Sequence, residues 1–275
     1  MYLCEMNIIV KILLASSLAL SAQYISDIVS FMAAALFSDI SNDYIQSTIV
    51  AIANVIISVL LFKYCALRWF RIDSSTLGLS YKSRAVIIAS LSCILLFTFL
   101  FVISLPLTNE YSIANSGSAG IILYNSLFNR GISTAIGEEL IFRGFLFSYI
   151  LSLTKPSRAF IISILVFVLP HMFVFQPNLT SLLIFINYIA ISLLLTTLYF
   201  KTKSISSSIA FHAVYNFILY GIWNVADTGE SSSAIITSLM DKQQSDIFIG
   251  IFVICQLLST VAILRIRSLI ANNHG

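Results

Sequence analysis

The chain has 275 residues, 59% of them hydrophobic and only 10% charged. A soluble domain carries about 25% charged residues, so this balance, with a mean hydropathy of +0.97, excludes an ordinary soluble enzyme and describes a polytopic membrane protein, with lipid as its first partner. The net charge is only +3, and no basic patch with interleaved aromatics is present, which excludes nucleic acid as a partner.

A membrane-crossing helix needs about 20 predominantly apolar residues. Eight segments fit: 7–37, 44–63, 85–107, 119–153, 159–175, 180–200, 205–225 and 246–266. The predicted fold class is therefore all-α, a polytopic membrane helical bundle with about eight transmembrane helices. The first segment is too long for one straight span, and a break near Gln23 or Asp27 would make it two. Lys11 and the Ala19-Leu20-Ser21-Ala22 stretch loosely resemble a signal peptide. The apolar pattern resumes through Ile28 to Phe37, which favours an uncleaved first span. The fourth segment is also long, and Gly131 is expected to divide it into a short leading helix and a main span.

The linker 64–84 is the one substantial loop on its side. Arg68, Trp69, Phe70 and Arg71 within it read either as an interfacial segment with aromatics in the headgroups or as a plain basic loop. Cys4, Cys65, Cys93 and Cys255 are far apart and show no CxxC or Cys/His spacing, so they read as buried free thiols.

Basic residues fall on one side of the predicted spans. Lys11, Lys63, Arg68, Arg71, Lys82, Arg84, Lys155, Arg158, Lys201, Lys203, Arg265 and Arg267 share it, whereas the opposite loops hold only Lys242. The bias fits an even number of spans with both termini in the cytoplasm. The remaining two cations, Arg130 and Arg143, lie inside the fourth span.

That span contains the stretch Gly137-Glu138-Glu139-Leu140-Ile141-Phe142-Arg143-Gly144. A charge at membrane depth costs about 2.5–3.5 kcal/mol on insertion scales, so each needs a partner or a function. Adjacent helical residues point about 100° apart, so Glu138 and Glu139 cannot share one role. Arg143 lies one turn after Glu139 on the same face and pairs with it most simply. Glu138 is left to face another helix or a water-filled cavity. Burial favours the neutral form of a carboxyl group, which suits a general base working near neutral pH. The competing reading is structural: an ion pair that locks helices together, with Gly137 and Gly144 as ordinary small residues at a helix interface.

His171 follows Pro170 in the fifth segment, where the proline removes a backbone hydrogen bond and makes room for a polar group. His212 in the seventh segment is followed four residues later by Asn216, so imidazole and carboxamide share a helical face. His274 lies in the polar tail. At 1.5 Å per residue, Glu138 is about 25 Å from Lys155, His171 about 20 Å from Arg158, His212 about 14 Å from Lys203 and Asn216 about 20 Å from Lys203. Tilt absorbs much of this spread, so the four groups are expected to meet at mid-membrane. There Glu138 can take a proton from water, His171 can orient the same water, and His212 with Asn216 can donate to a developing oxyanion. The set describes hydrolysis of an acyl bond, most plausibly a peptide bond. No Ser or Cys triad context, glycine-rich phosphate loop or HExxH motif competes with it.

Glu138-Glu139-x-x-x-Arg143, Phe167-x-x-x-His171 and His212-x-x-x-Asn216, in this order on separate spans, resemble the three motifs of the CPBP family, the CAAX-protease and bacteriocin-processing family, also called the Abi family. The resemblance covers about 119–225 as a catalytic core, flanked by 1–118 (helices and basic linker) and 226–275 (last helix and tail) in one integrated membrane domain. It implies an intramembrane endopeptidase in which Glu138 activates water with help from His171. Glu139 and Arg143 would support the site, and His212 with Asn216 would form the oxyanion pocket. The family is often labelled a metalloprotease, and Glu138, His171 and His212 could supply three zinc ligands. A metal-free site accounts better for Asn216 and the paired glutamates. The short chain resembles prokaryotic members, which implies a multi-pass plasma-membrane protein acting on a peptide or lipidated protein. A non-enzymatic immunity or partner-binding membrane protein is the alternative. A transporter would be expected to show inverted repeats, which the sequence lacks.

Overall fold

The computed structural model describes residues 6–72, 77–114, 116–174, 177–227 and 234–265. Cys4, Arg267, His274 and linker positions 73–76 lie outside the described residues.

Helix α1, Ile8–Leu36, begins where the Asn7 side chain accepts from the Ile9 amide. It runs unbroken for 29 residues, so the expected break near Gln23 or Asp27 does not occur. Gln23 Nε2 donates to Asp27 Oδ1 at 3.0 Å one turn away, and the pair meets part of its polar need without opening the backbone ladder. Helix α2, Asp43–Phe62, is capped by Asn42, which accepts from the amides of Tyr44 and Ile45. It continues as π-helical turns over Lys63–Trp69. The linker motif then divides. Trp69 is 44% exposed, whereas Phe70 is buried against Phe145 and Tyr149. Helix α3 is Ser83–Ser104.

The fourth predicted span comprises α4 (Ser116–Asn125), α5 (Thr134–Glu139) and α6 (Ser148–Leu153). Wide π-helical turns over Ser126–Ser133 and Leu140–Phe147 join them. Gly131 lies in the first of these turns. A Cβ there would come 2.8 Å from the Ser126 carbonyl oxygen and 3.2 Å from that of Ala213. The residue therefore permits close approach within a continuous helix rather than dividing it. Turns of this kind concentrate at functional sites.

Helix α7, Pro156–Val168, starts with proline in its first turn, where the missing N–H costs nothing. It tightens into a 3-10 turn over Leu169–Val174 that holds Pro170 and His171. Helix α8, Leu179–Thr202, is capped by Asn178. Helix α9, Ile205–Phe217, passes into a π-helical turn over Ile218–Ile222, and α10 is Lys242–Arg265. Each of the eight predicted segments is helical over most of its described length. Among the described residues, six helices are long and apolar enough to cross a membrane, with Pro156–Met172 a shorter apolar helix. Phe31, Leu95 and Leu258 are each more than 60% exposed and mark faces built for lipid rather than water.

A small sheet departs from the all-α expectation. Strands β1 (Glu110–Ile113), β2 (Trp223–Asp227) and β3 (Ile236–Met240) lie in the order β1–β3–β2. β1 runs antiparallel to β3 with Glu110 opposite Leu239, and β2 runs parallel to it with Trp223 opposite Ile236. Trp223, which begins β2, follows the last residue of the seventh helix, Ile222, three before the predicted 225. It buries its ring against Phe101 and Phe248 and donates Nε1–H to Ser238 Oγ.

Two apolar cores flank α8. One gathers Phe142, Phe145, Phe147 and Phe167 with Tyr199 of α8. The other gathers Phe97, Phe211, Tyr215 and Phe252 with Leu194, Leu195 and Leu198 of α8. The functional residues sit between them.

Candidate active site

Glu139 is fully buried and holds two partners on one oxygen. Its Oε1 accepts from Arg143 Nη1 at 2.8 Å and lies 2.9 Å from His212 Nδ1. The i, i+4 spacing on successive helical turns places the guanidinium over the carboxylate. Arg143, also fully buried, reaches across to α8. Its Nη2 donates to Ser192 Oγ at 3.1 Å and to the Ser192 carbonyl at 3.3 Å. Its guanidinium carbon lies 4.4 Å from the centre of the Phe167 ring. Two buried charges are tolerable only when paired and hydrogen-bonded in this way. The result ties α5, the turn after it, α8 and α9 together.

Glu138 points elsewhere, as a step of about 100° along the helix requires. Its side chain is 13% accessible and lines a cavity of about 300 Å³. His171, His212 and Asn216 line the same cavity, with Phe167, Tyr188 and Tyr215 among its walls. Glu139 and Arg143 lie beneath it, outside the lining. The sequence-selected residues thus gather in two layers: four at the cavity wall and an ion pair supporting them.

Hydrogen bonds orient each imidazole. His171 Nδ1 lies 3.2 Å from the Phe167 carbonyl, an acceptor only, so Nδ1 carries the proton and Nε2 is free to accept. The ring packs on Tyr188 with centroids 4.2 Å apart. His212 is fixed the same way by a carboxylate: Nδ1–H faces Glu139, and Nε2 lies 3.9 Å from Glu138 Oε2. This changes the expected oxyanion pocket. His212 Nε2 has a lone pair in the neutral ring and donates only when the ring holds both protons. Asn216 Nδ2 already donates one N–H to the Arg130 carbonyl at 2.9 Å, which leaves its second N–H for other use.

Several residues at the cavity went unassigned from sequence, Arg130, Thr134 and Tyr188 among them. Arg130 was noted there only as a cation inside the fourth span; its guanidinium carbon lies 4.8 Å from the centre of the Tyr220 ring. Thr134 donates to the Asn129 carbonyl, closing the π-helical turn from the cavity side. Tyr188 carries no sequence signal, because an aromatic in an apolar span has no pattern that marks it.

The zinc alternative names Glu138, His171 and His212, which line one cavity. Among the described residues, no three His, Cys, Asp or Glu side chains are grouped to hold a metal ion.

The fold and the site together define a helical membrane protein with a polar, carboxylate-bearing cavity inside the bundle. Residues 120–218 match the family described as Rce1-like, type II CAAX prenyl endopeptidase Rce1-like. That family is a family of proteases, the match agrees with the CPBP resemblance, and it takes in Glu138, Glu139, Arg143, His171, His212 and Asn216. A comparison with curated proteins finds no match.

Proposed function

We propose that the chain is an intramembrane endopeptidase that hydrolyses a peptide bond with water activated by Glu138. The observation that carries this is the division of the two acids: Glu139 is spent on Arg143 and His212, whereas Glu138 faces the cavity. Glu138 removes a proton from water as the water attacks the scissile carbonyl. His171 Nε2 accepts from the same water and holds it in line. The tetrahedral oxyanion is stabilised by the second N–H of Asn216 and by His212 when its Nε2 carries a proton, with Glu139 behind its Nδ1. The proton held by Glu138 then passes to the leaving amine, so the carboxylate is regenerated.

The cavity is reached from the membrane face opposite the basic loops. Its buried lining on α8, Ile191 and Leu195, lies toward the end that carries Lys203. Its exposed lining, Arg130 and Ile184, lies toward the other end. With the basic loops and both termini in the cytoplasm, the substrate is a peptide or a membrane-associated protein segment presented from the extracytoplasmic side. That access disfavours a cytoplasmic lipidated C-terminus.

A single experiment tests both statements. Membrane-impermeant quenched peptides are supplied to right-side-out and inside-out vesicles holding the wild-type chain or Glu138→Gln. Hydrolysis in right-side-out vesicles only, lost in Glu138→Gln while that variant melts like wild type, is the expected result. Wild-type rates in Glu138→Gln overturn the catalytic assignment, and hydrolysis in inside-out vesicles only overturns the access.

A further inference from the structure

Arg130 is the charged group in the cavity to which the catalytic scheme gives no task. We propose that it forms a recognition subsite for a carboxylate of the substrate at the mouth of the cavity, a proposal that rests on the proteolytic reading above.

The argument begins with its partners. Arg143, the other cation of the fourth span, is consumed by Glu139 and Ser192. Among the described residues, no carboxylate forms an ion pair with Arg130. Its guanidinium lies against the Tyr220 ring instead. That contact fixes the plane of the fork and leaves its N–H donors unspent. A planar fork with free donors matches a carboxylate in bidentate fashion.

Position adds a second line. Arg130 lines the same cavity as Glu138, His171 and His212 and is the exposed member of that set. Its carbonyl accepts from Asn216, so the backbone that presents the guanidinium is held by a residue of the site itself. The π-helical turn over Ser126–Ser133 and the side-chain-free Gly131 make this approach to α9 possible. Arg130 precedes Glu138 by eight residues, about 12 Å along the helix. An extended peptide covers that distance in about three or four residues. The carboxylate is therefore either the substrate's own terminus or an acidic side chain a few residues from the scissile bond.

Binding to the Glu138→Gln protein tests the subsite without needing turnover. The probes are a dye-labelled apolar dodecapeptide with a C-terminal carboxylate, its carboxamide, and carboxamides carrying one Glu at successive positions. The full chain is held in phosphatidylcholine vesicles. One anionic form is expected to bind about tenfold or more tighter than the plain carboxamide, the scale of a hydrogen-bonded charge pair. The preference is expected to vanish when Arg130→Gln is added and to survive in large part with Arg130→Lys. The terminal and internal forms distinguish the two sources of the carboxylate. Indistinguishable binding of all forms, absent binding included, overturns the proposal, as does a preference that persists in Arg130→Gln. Should Arg130→Gln fail to fold, Tyr220→Leu, which removes the ring that sets the fork, must reduce the preference. A binding preference in a protein whose wild type hydrolyses nothing would sink the proteolytic reading and leave the subsite standing. Hydrolysis without preference would do the reverse.

Discussion

The two ends of this bundle treat polar groups in opposite ways. Toward the basic loops, hydroxyls and charges are sealed from solvent and most have a partner, Thr197 Oγ1 being an exception. Ser148 Oγ donates to the Arg143 carbonyl and lies 2.6 Å from Tyr199 Oη. Thr202 and Ser207 bond each other in a fully packed corner, where Gly78 leaves just enough room for the Tyr199 ring. Toward the far end, Glu138, His171 and Arg130 face open volume, and their neighbours orient them without consuming them. Adjacent glutamates straddle this boundary. A rotation of about 100° per residue suffices to make one acid structural and the other chemical. Paired polar groups in the core make a rigid floor, and that floor holds the unpaired ones in place.

The largest effect that can break this comparison is on activity. Glu138→Gln keeps shape and removes the base, so peptide hydrolysis should fall by about 10²–10⁴-fold, the usual range for a general base. The melting temperature in detergent should hardly move. A large fall in melting temperature would place Glu138 in the floor rather than at the site. The next effect is on stability. Arg143→Met leaves Glu139 buried opposite His212 alone, and breaking a buried pair costs about 3–5 kcal/mol. Adding Glu139→Gln should return much of that loss, because the stranded charge goes with it. Thermal unfolding of the two single variants and the double decides this. Additive losses would mean that the ion pair is not a unit.

These layers were only partly legible in the sequence. The helical membrane class followed from eight apolar segments, and the structure is a helical membrane bundle. The Glu139–Arg143 contact was readable because spacing on one helix fixes which side chains meet. Depth counting brought Glu138, His171, His212 and Asn216 to one level, and all four line one cavity. What the chain order could not give was anything set by a partner on another span. Ser192 as the second anchor of Arg143 depends on the rotation of α8, for which an all-round apolar helix carries no phase signal. The orientation of His212 depends on Glu139, seventy-three positions away. The sheet was missed because its strands have four or five residues and abut helix ends. The expected breaks in α1 and at Gly131 failed for a shared reason: the helix absorbed its anomaly, once through a side-chain bond and once through a wider turn.

The smallest predicted effect lies where floor and site touch. Gly137 precedes Glu138, and a Cβ at that position would lie 2.7 Å from Ser58 Oγ, 3.5 Å from Ser58 Cβ and 3.7 Å from Asn54 Oδ1. Ser58 cannot simply swing away, because it is bonded to Ser26 and Asn54 in a buried cluster between α1 and α2. Gly137→Ala should therefore cost about 1–3 kcal/mol, as overpacking does. It should also reduce hydrolysis beyond what stability explains, because displacing α5 turns the Glu138 carboxylate, and a shift near 1 Å costs about 10²-fold in rate. The cure follows from the same distances. Ser58→Ala removes the clashing oxygen, keeps a Cβ at ordinary contact distance, and leaves Ser26 and Asn54 bonded to each other. The double variant should regain most of the stability and the rate. If it is no better than Gly137→Ala alone, the close approach at Ser58 is not what seats Glu138, and the floor does not hold the site in the way the comparison requires.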